Sequence, residues 1–146
     1  MNGSQNELTS KEVADFFGIS KDTLRFYEEK GIIPHVPRDK NGYRVYTDYE
    51  LNWIYLAMNL KRAGLSLDAI AEFGYLFNHP SEESFKKQKD LLSDQIDAIN
   101  RQIKILQDTK NVLQYKLDIF DDHFVNLEQG NIDHRNVEPI WKKYQK

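Results

Sequence analysis

Residues 18–33 read GISKDTLRFYEEKGII, a short helical pattern that follows one glycine and ends at another. Ser20 is placed to cap the N-terminus of this helix, and Gly31 to end it, since glycine adopts the left-handed conformation readily. Its inward side chains should be Leu24 with either Tyr27 or Phe26. The remaining surface combines cationic, hydroxyl and aromatic side chains within two turns, which is typical of a surface that contacts phosphates and bases.

A second short helix precedes this one. Residues 9–12 read TSKE, a capping box that opens a helix with apolar residues at regular spacing, and Gly18 ends it. Two short helices joined by a tight turn that contains glycine form a helix-turn-helix pattern. They cannot bury a core alone, so further elements must pack against them.

The segment after Gly31 favours a β-hairpin. Pro34 and Pro37 exclude a helix, and Asn41-Gly42 is typical of a two-residue hairpin turn. Cations and aromatic side chains are interleaved around this turn, which predicts a small basic wing beside the two helices. An ordinary solvated hairpin is the alternative. The residues concerned are Arg38, Lys40, Tyr43, Arg44 and Tyr46.

Two further helices should complete a head domain over residues 8–79. Residues 47–50 form a second capping box, and Ser66 is placed to cap the helix after Gly64. Aromatic side chains between these helices are candidates for lining a small-effector site, although such clusters are usually core. The candidates are Trp53, Tyr55, Phe73, Tyr75 and Phe77.

A long helix is predicted from about residue 81 to about residue 124, where the chain has no Pro or Gly. Apolar residues recur there at alternating three- and four-residue steps, which indicates a coiled coil over residues 80–125. Since nothing in so small a chain could cover this surface, we expect a homodimer. The polarity of pairing stays open. The predicted pairing residues are Leu92, Ile96, Ile99, Ile103, Leu106, Leu113, Leu117 and Phe120.

A second apolar stripe lies on the same helix, at intervals of seven residues. It indicates contact with a third element, either the partner's head or the short tail over residues 126–146. An apolar solvent-facing surface is the alternative. The stripe consists of Ala98, Ile105, Val112 and Ile119.

Composition narrows the possible function classes. The net charge is -3, but residues 9–64 hold nine Lys/Arg against eight Asp/Glu, whereas residues 65–146 hold eleven against fourteen. The head is therefore the more basic part. With no cysteine, disulfides and thiolate metal sites are excluded, and the four histidines show no metal-ligand spacing, so no metal or other cofactor is expected.

Location and catalysis are also constrained. The N-terminus is polar, and no stretch approaches the ~20 apolar residues that span a bilayer, which predicts a cytoplasmic protein without a membrane partner. Asp121-Asp122-His123 is the nearest approach to a reactive cluster. It has no nucleophile or phosphate-binding loop nearby, so we expect no enzyme.

Together these motifs resemble the MerR family of transcriptional regulators. The resemblance covers residues 8 to about 124 and is most specific where TLRFYE, GYRVY and AGLS occur at their mutual spacings. It implies a mostly α fold: a winged helix-turn-helix head with a small β-hairpin wing, followed by a long dimerising coiled-coil helix.

The resemblance also implies a DNA surface. Phe26 stands where the family usually has tyrosine, which removes one hydroxyl that could bind a phosphate. Structural alternatives remain, because Arg25 can pair with Glu28 or Glu29 and the aromatic residues can be core. The candidate DNA-binding residues are Lys21, Thr23, Arg25, Phe26, Tyr27, Arg38, Lys40, Tyr43, Arg44, Tyr46 and Lys61.

The function that the resemblance implies is control of transcription. A dimer would bind a pseudo-palindromic promoter in double-stranded DNA and bend and untwist its spacer, so that RNA polymerase can engage both promoter elements. The chain resembles small members near the aldehyde-responsive branch. Many of those have a cysteine where Asn59 stands, so Asn59 joins the candidate effector residues but argues against thiol sensing. An unknown small-molecule effector, or none, stays open.

Two other function classes remain. One is an architectural or excisionase-like DNA-binding protein, against which the long helix counts. The other is a coiled-coil interaction protein without promoter specificity, against which the intact TLRFYE and GYRVY motifs count.

Overall fold

The computed structural model describes residues 7–130 and 139–143, and these ranges are mostly helical. The described residues form two isolated antiparallel bridges, Leu8 with Tyr46 and Arg38 with Arg44, but no regular strand. The mostly α fold with a long C-terminal helix is therefore confirmed, whereas a regular two-stranded hairpin is not seen. The helices are α1 (Ser10–Phe17), α2 (Lys21–Lys30), α3 (Asp48–Arg62), α4 (Leu67–Asn78), α5 (Glu82–Asp118), α6 (Phe120–Glu128) and α7 (Ile140–Lys143).

The starts of α1, α2 and α4 follow from local hydrogen bonds. At α1, the Thr9 hydroxyl accepts from the Glu12 N–H at 3.2 Å, and the Glu12 carboxylate accepts from the Thr9 N–H at 3.2 Å, which confirms the capping box. The Ser20 hydroxyl accepts from the Thr23 N–H at 3.0 Å, and Ser66 caps α4 in the same way. Such a cap typically contributes about 1 kcal/mol.

Two compact units divide the chain, residues 1–95 and 96–146. In the first unit α1 packs against α2 and α3 against α4, around a buried core, and Leu91 and Leu92 of α5 pack on that core. The head over residues 8–79 stays a prediction, to which this start of α5 adds apolar contacts. The fully buried side chains at its centre are Val13, Leu24, Ile32, Val36, Tyr46, Ile54 and Ile70.

One close backbone approach fixes α4 against the end of α2. A Cβ on Gly74 would lie 2.9 Å from the carbonyl oxygen of Gly31, so this contact requires glycine. Gly31 ends α2 in the left-handed conformation at φ 79°. Beside it, Nζ of Lys30 lies 2.7 Å from Oδ1 of Asp68, the acidic residue in the first turn of α4.

The long helix ends earlier than its pattern predicts. It stops at Asp118, and Ile119, with φ -95° and ψ 1°, separates α5 from α6. The expectation of one helix to residue 124 was therefore wrong. Asp121 and Asp122 fall in the first turn of α6, where carboxylates are favoured by the helix dipole, and this was the signal in the sequence.

Most of the predicted pairing residues in the second unit are exposed in the single chain, while Ile99 is half-buried. In the second stripe, Ala98, Val112 and Ile119 are half-buried and Ile105 is exposed. Residues 131–138 and 144–146 of the expected tail lie outside the described residues. The exposed pairing residues are Ile96, Ile103, Leu106, Leu113, Leu117 and Phe120.

Candidate nucleic-acid interface

Helix α2 exposes charged side chains of both signs because its apolar side chains are spaced to face the core. Leu24 and Tyr27 are buried, three residues apart on the same face, which leaves Lys21 and Arg25 exposed. Phe26 is largely exposed. Tyr27 is therefore packed on the inward face of α2, and its inclusion among the DNA-binding residues stays a prediction.

Arg25 is available for a ligand. Its Nη2 lies 3.8 Å from Oδ1 of Asp22, and both side chains are solvated, Arg25 at 54% and Asp22 at 90% exposure. An exposed pair of this length contributes little to stability. From the sequence, Glu28 or Glu29 was the alternative partner of Arg25. The Glu28 carboxylate instead contacts Arg44, Val36 and His35. Thr23 is half-buried, and its hydroxyl lies 2.8 Å from that of Ser20, so it serves the helix cap.

The loop over residues 37–45, which we call the basic loop, reverses direction by a three-residue turn. The Gly42 N–H donates to the Asp39 carbonyl at 3.0 Å, and the Asp39 N–H donates to the Tyr43 carbonyl at 2.9 Å. Gly42 has φ 84°, whereas Asn41 does not adopt positive φ. The predicted two-residue turn requires positive φ at both positions and was wrong. The Asp39 carboxylate selects the observed turn, since it accepts from the Asn41 and Tyr43 N–H groups.

Side chains alternate along the end of the basic loop. Tyr43 is 71% exposed, whereas Tyr46 is fully buried, with its hydroxyl near the Ser10 side chain. Burial raises the pKa of Tyr46, an effect that Ser10 and Arg44 partly offset. The assignment of Tyr46 to the DNA surface is therefore corrected, because its ring anchors the loop in the core. Arg38 and Lys40 are exposed, and Nη1 of Arg38 donates to the Gly42 carbonyl at 2.9 Å.

Glu28 joins α2 to the basic loop. Its side chain is only 8% exposed, and Oε1 accepts a 2.7 Å hydrogen bond from Nε of Arg44, which is 18% exposed. Oε2 accepts from the Val36 N–H at 2.9 Å and lies 3.0 Å from Nδ1 of His35. Burial acts to raise the pKa of Glu28, but the hydrogen bonds from Arg44 and Val36 and the charges of Arg44 and His35 lower it overall. In return, Glu28 raises the pKa of Arg44.

A groove of about 390 Å³ brings part of the predicted surface together. It lies between the starts of α1 and α2 and the basic loop, and Lys21, Tyr43 and Arg44 line it. Lys11 also lines it, a residue that the sequence reasoning missed although it stands in the first turn of α1. Glu7 and Asp39 add acidic groups at the same groove. Lys61 is exposed in the last turn of α3 and is not among these lining residues.

The candidate effector residues do not share one environment. Trp53 and Phe73 are buried, with ring centroids 6.2 Å apart, and belong to the head core. Phe77 stacks edge-on against Trp53 at 4.9 Å but is largely exposed, as are Tyr55 and Tyr75. The half-buried Asn59 donates from Nδ2 to the Tyr55 carbonyl at 2.9 Å, within its own helix.

Residues 7–130 and 139–143 contain neither a metal-binding cluster nor a membrane-spanning helix. No group of three or more His, Asp or Glu in these ranges is arranged to hold a metal ion. None of the helices described is both long enough and apolar enough to cross a membrane.

Comparison with known proteins identifies the family. The model described as "MerR family regulatory protein" matches residues 9–46, and "MerR, DNA binding" matches residues 51–115. The HTH-type transcriptional regulator CueR of Escherichia coli O157:H7 is 35% identical over 106 residues, which are 73% of this chain and 78% of CueR. The chain belongs to the MerR family of transcriptional regulators. The first match ends at Tyr46, and the second extends from α3 into α5.

Other MerR-type proteins match over a similar extent. An HTH-type transcriptional regulator of Haemophilus influenzae is 35% identical over 109 residues, 75% of this chain and 80% of the relative. The crystal structure of HiNmlR, a MerR family regulator lacking the sensor domain, bound to promoter DNA, superposes with a TM-score of 0.70 at 32% identity. That match covers 82% of this chain and 94% of HiNmlR. These relatives are transcriptional regulators, not enzymes.

Proposed function

We propose that this MerR-family chain is a dimeric, sequence-specific DNA-binding regulator of transcription in the cytoplasm. The observation that carries the proposal is a set of exposed cations on α2 and on the adjoining basic loop. Lys21 and Arg25 stand on α2, and Arg38 and Lys40 stand on the loop, all exposed. In this proposal α2 enters the major groove and the basic loop serves as the wing.

The distribution of charge supports binding to phosphates. Arg25 has a weak, solvated partner, so little free energy is needed to redirect it to a phosphate or to a guanine edge. Lys11, Lys21, Tyr43 and Arg44 line one groove at the edge of this surface. The comparison with HiNmlR supports the same conclusion, since that regulator was crystallised with promoter DNA.

The exposed apolar face of α5 supports a homodimer. Ile103, Leu106 and Leu113 follow the heptad pattern and are exposed in the single chain. In water, pairing of two such faces removes apolar surface at about 25 cal/mol per Å². Two paired chains would present two copies of α2, which fits an operator with two related halves.

Control of transcription would follow from DNA shape. When each subunit of the dimer binds one half of the operator, the two can hold its centre in a bent and untwisted form. The deformation costs of order 1–6 kcal/mol, which phosphate contacts offset. The bend would bring the promoter elements into a phase that RNA polymerase can use. A small-molecule effector would act by changing the distance or orientation between the two head domains of the dimer.

Hydroxyl-radical footprinting tests the proposal on the DNA upstream of the gene that encodes this chain, across a series of salt concentrations. We expect two protected half-sites related by a pseudo-twofold axis, altered cleavage at the centre, and weaker protection as salt rises. A dimeric chain that protects no DNA at low salt would overturn the proposal and favour an interaction protein.

A further inference from the structure

We propose that Glu28 is a positioning residue for DNA recognition, which sets the orientation of the basic loop relative to α2. This inference rests on the proposed DNA-binding function. Glu28 stands on α2, and its carboxylate contacts the loop through Arg44 and the intervening segment through Val36 and His35. The Glu28 side chain therefore connects α2 and the basic loop, which would have to bind the same duplex.

The two oxygens of the Glu28 carboxylate accept hydrogen bonds from different segments. Oε2 accepts the Val36 N–H at 2.9 Å, which fixes the segment that leaves the end of α2. Oε1 accepts from Nε of Arg44 at 2.7 Å, which fixes the returning arm of the loop. Because the segment that leads into the loop and the returning arm of the loop are both held to a single carboxylate, the loop cannot pivot about α2 without breaking a part-buried hydrogen bond.

The charge of Glu28 has a second effect. Arg38 and Arg44 form an antiparallel bridge pair, and like charges directly opposite each other are destabilising. Glu28 offsets the charge of one member, while Arg38 is held by the Gly42 carbonyl. The carboxylate thus allows two cations to stand side by side on a loop that must face phosphates.

Arg44 itself is oriented by this contact. Nε is the atom that contacts Glu28, so the planar guanidinium is held in a fixed direction at the groove that Lys21 and Tyr43 also line. A fixed guanidinium loses less conformational entropy when it binds a phosphate than a free one does. Glu28 would therefore act on DNA through Arg44 and the loop, without touching the duplex.

The test compares Glu28→Gln with Glu29→Gln, a matched control that removes the same charge from the next, exposed position of α2. The probe is a duplex selected from a random-sequence library by the unmodified chain. We expect Glu28→Gln to weaken binding about tenfold to a hundredfold, in line with the loss of a buried charged hydrogen bond. Glu29→Gln should not weaken binding, because loss of an exposed negative charge from α2 reduces the repulsion of phosphates.

A footprint separates positioning from a general loss of structure. The protections lost in Arg38→Ala define the loop contacts, and those lost in Arg25→Ala define the α2 contacts. Glu28→Gln should lose the loop protections and keep the α2 protections. In an Arg44→Ala background the effect of Glu28→Gln should be smaller, since only the contact of Glu28 with the Val36 segment then remains to be changed.

Three results would overturn the inference. Affinity and protections equal to those of Glu29→Gln would show that Glu28 has no role in binding, while the proposed function stands. Equal loss of both groups of protections would show an effect on the whole head. A chain that selects no duplex would remove the proposed function and this inference together. If Glu28→Gln melts too low to be measured, Glu28→Asp keeps the charge on a shorter side chain and carries the same expectation.

Discussion

Nε of Arg44 lies 2.7 Å from Oε1 of Glu28, 16 residues earlier in the chain, and both side chains are largely buried. The contact joins the basic loop to α2. An arginine that the sequence assigns to DNA is therefore also part of the head's structure. Its substitution alone would leave a buried carboxylate without its cation, which is costly.

The ionisation of Glu28 predicts a pH dependence of stability. Its pKa in the folded chain is lowered below 4.5 despite burial, because Arg44 and the Val36 N–H stabilise the carboxylate. A lowered folded pKa means that the contribution is fully present above the unfolded value and is lost as the pH falls through the folded value. The difference in unfolding free energy between the unmodified chain and Glu28→Gln should therefore shrink below about pH 4.5. Urea unfolding followed by circular dichroism, from about pH 7 to about pH 3, measures it. A difference that stays constant over this range would contradict the prediction.

Tyr43, on the basic loop, and Tyr46, directly after it, give a matched pair of an exposed and a buried tyrosine. Tyr43→Phe removes an exposed hydroxyl beside the groove and should weaken DNA binding about threefold to tenfold, as expected for one hydrogen bond. Tyr46→Phe removes a hydroxyl that is fully buried in the head core. It should leave the affinity unchanged and the unfolding free energy within about 1 kcal/mol. Titration of a labelled duplex by fluorescence anisotropy compares the two. A larger loss of affinity from Tyr46→Phe would restore that residue to the DNA surface.

The sequence was sufficient where the interacting groups are neighbours. The caps of α1, α2 and α4 were predicted because each hydroxyl reaches an N–H three residues away, and the residue types are specific. The turns at Gly18 and Gly31 followed from the same local chemistry. The succession of helices in the head, and the family, depend on these short-range patterns.

The sequence was insufficient where the partner lies far along the chain. The string YRVY does not alternate polar and apolar residues, so it could not show that Arg44 and Tyr46 face inward while Tyr43 faces outward. That division depends on the contact with Glu28 and on the bridge between Leu8 and Tyr46. In the same way, Asn41-Gly42 predicted the turn but not its length, which the Asp39 side chain determines.

Gly74 should be intolerant of a side chain. In an open helix, Gly→Ala stabilises by up to about 1 kcal/mol. Here the added Cβ would lie 2.9 Å from the Gly31 carbonyl oxygen, and overpacking against backbone costs about 1–3 kcal/mol. We expect Gly74→Ala to lower the unfolding free energy by about 1–2 kcal/mol, measured as the urea midpoint at an unchanged m-value. Glu72→Ala, an exposed position on the same helix, should change it by less than about 0.5 kcal/mol. Equal behaviour of the two variants would show that α4 shifts freely away from Gly31.

The pairing surface is tested by one charge placed at two positions of α5. Ile103 is 57% exposed in the single chain and lies on the heptad pattern, so Ile103→Asp should place a charge in the dimer interface and yield monomers. Asn111→Asp is the matched control. Asn111 is exposed off the pattern, and its Oδ1 accepts from Gln107, a contact that aspartate preserves. Light scattering coupled to size-exclusion chromatography gives the mass of each variant. An Ile103→Asp variant that keeps the mass of two chains would show that the pairing residues are misassigned.

Arg25 should contribute to DNA affinity with little contribution to stability. Its contact with Asp22 is long and solvated, so Arg25→Ala should change the unfolding free energy by less than about 0.5 kcal/mol. Loss of a base contact would cost about 1–3 kcal/mol of binding and relax the preference at one base pair, whereas loss of a phosphate contact would lower the salt slope by about 1. The salt series therefore tells which contact Arg25 makes. Lys87→Ala is the control, because Lys87 is an equally exposed cation paired with Glu83 on α5, away from α2 in the sequence. If both variants lose the same affinity, net charge alone governs binding, and the assignment of α2 to the DNA groove is wrong.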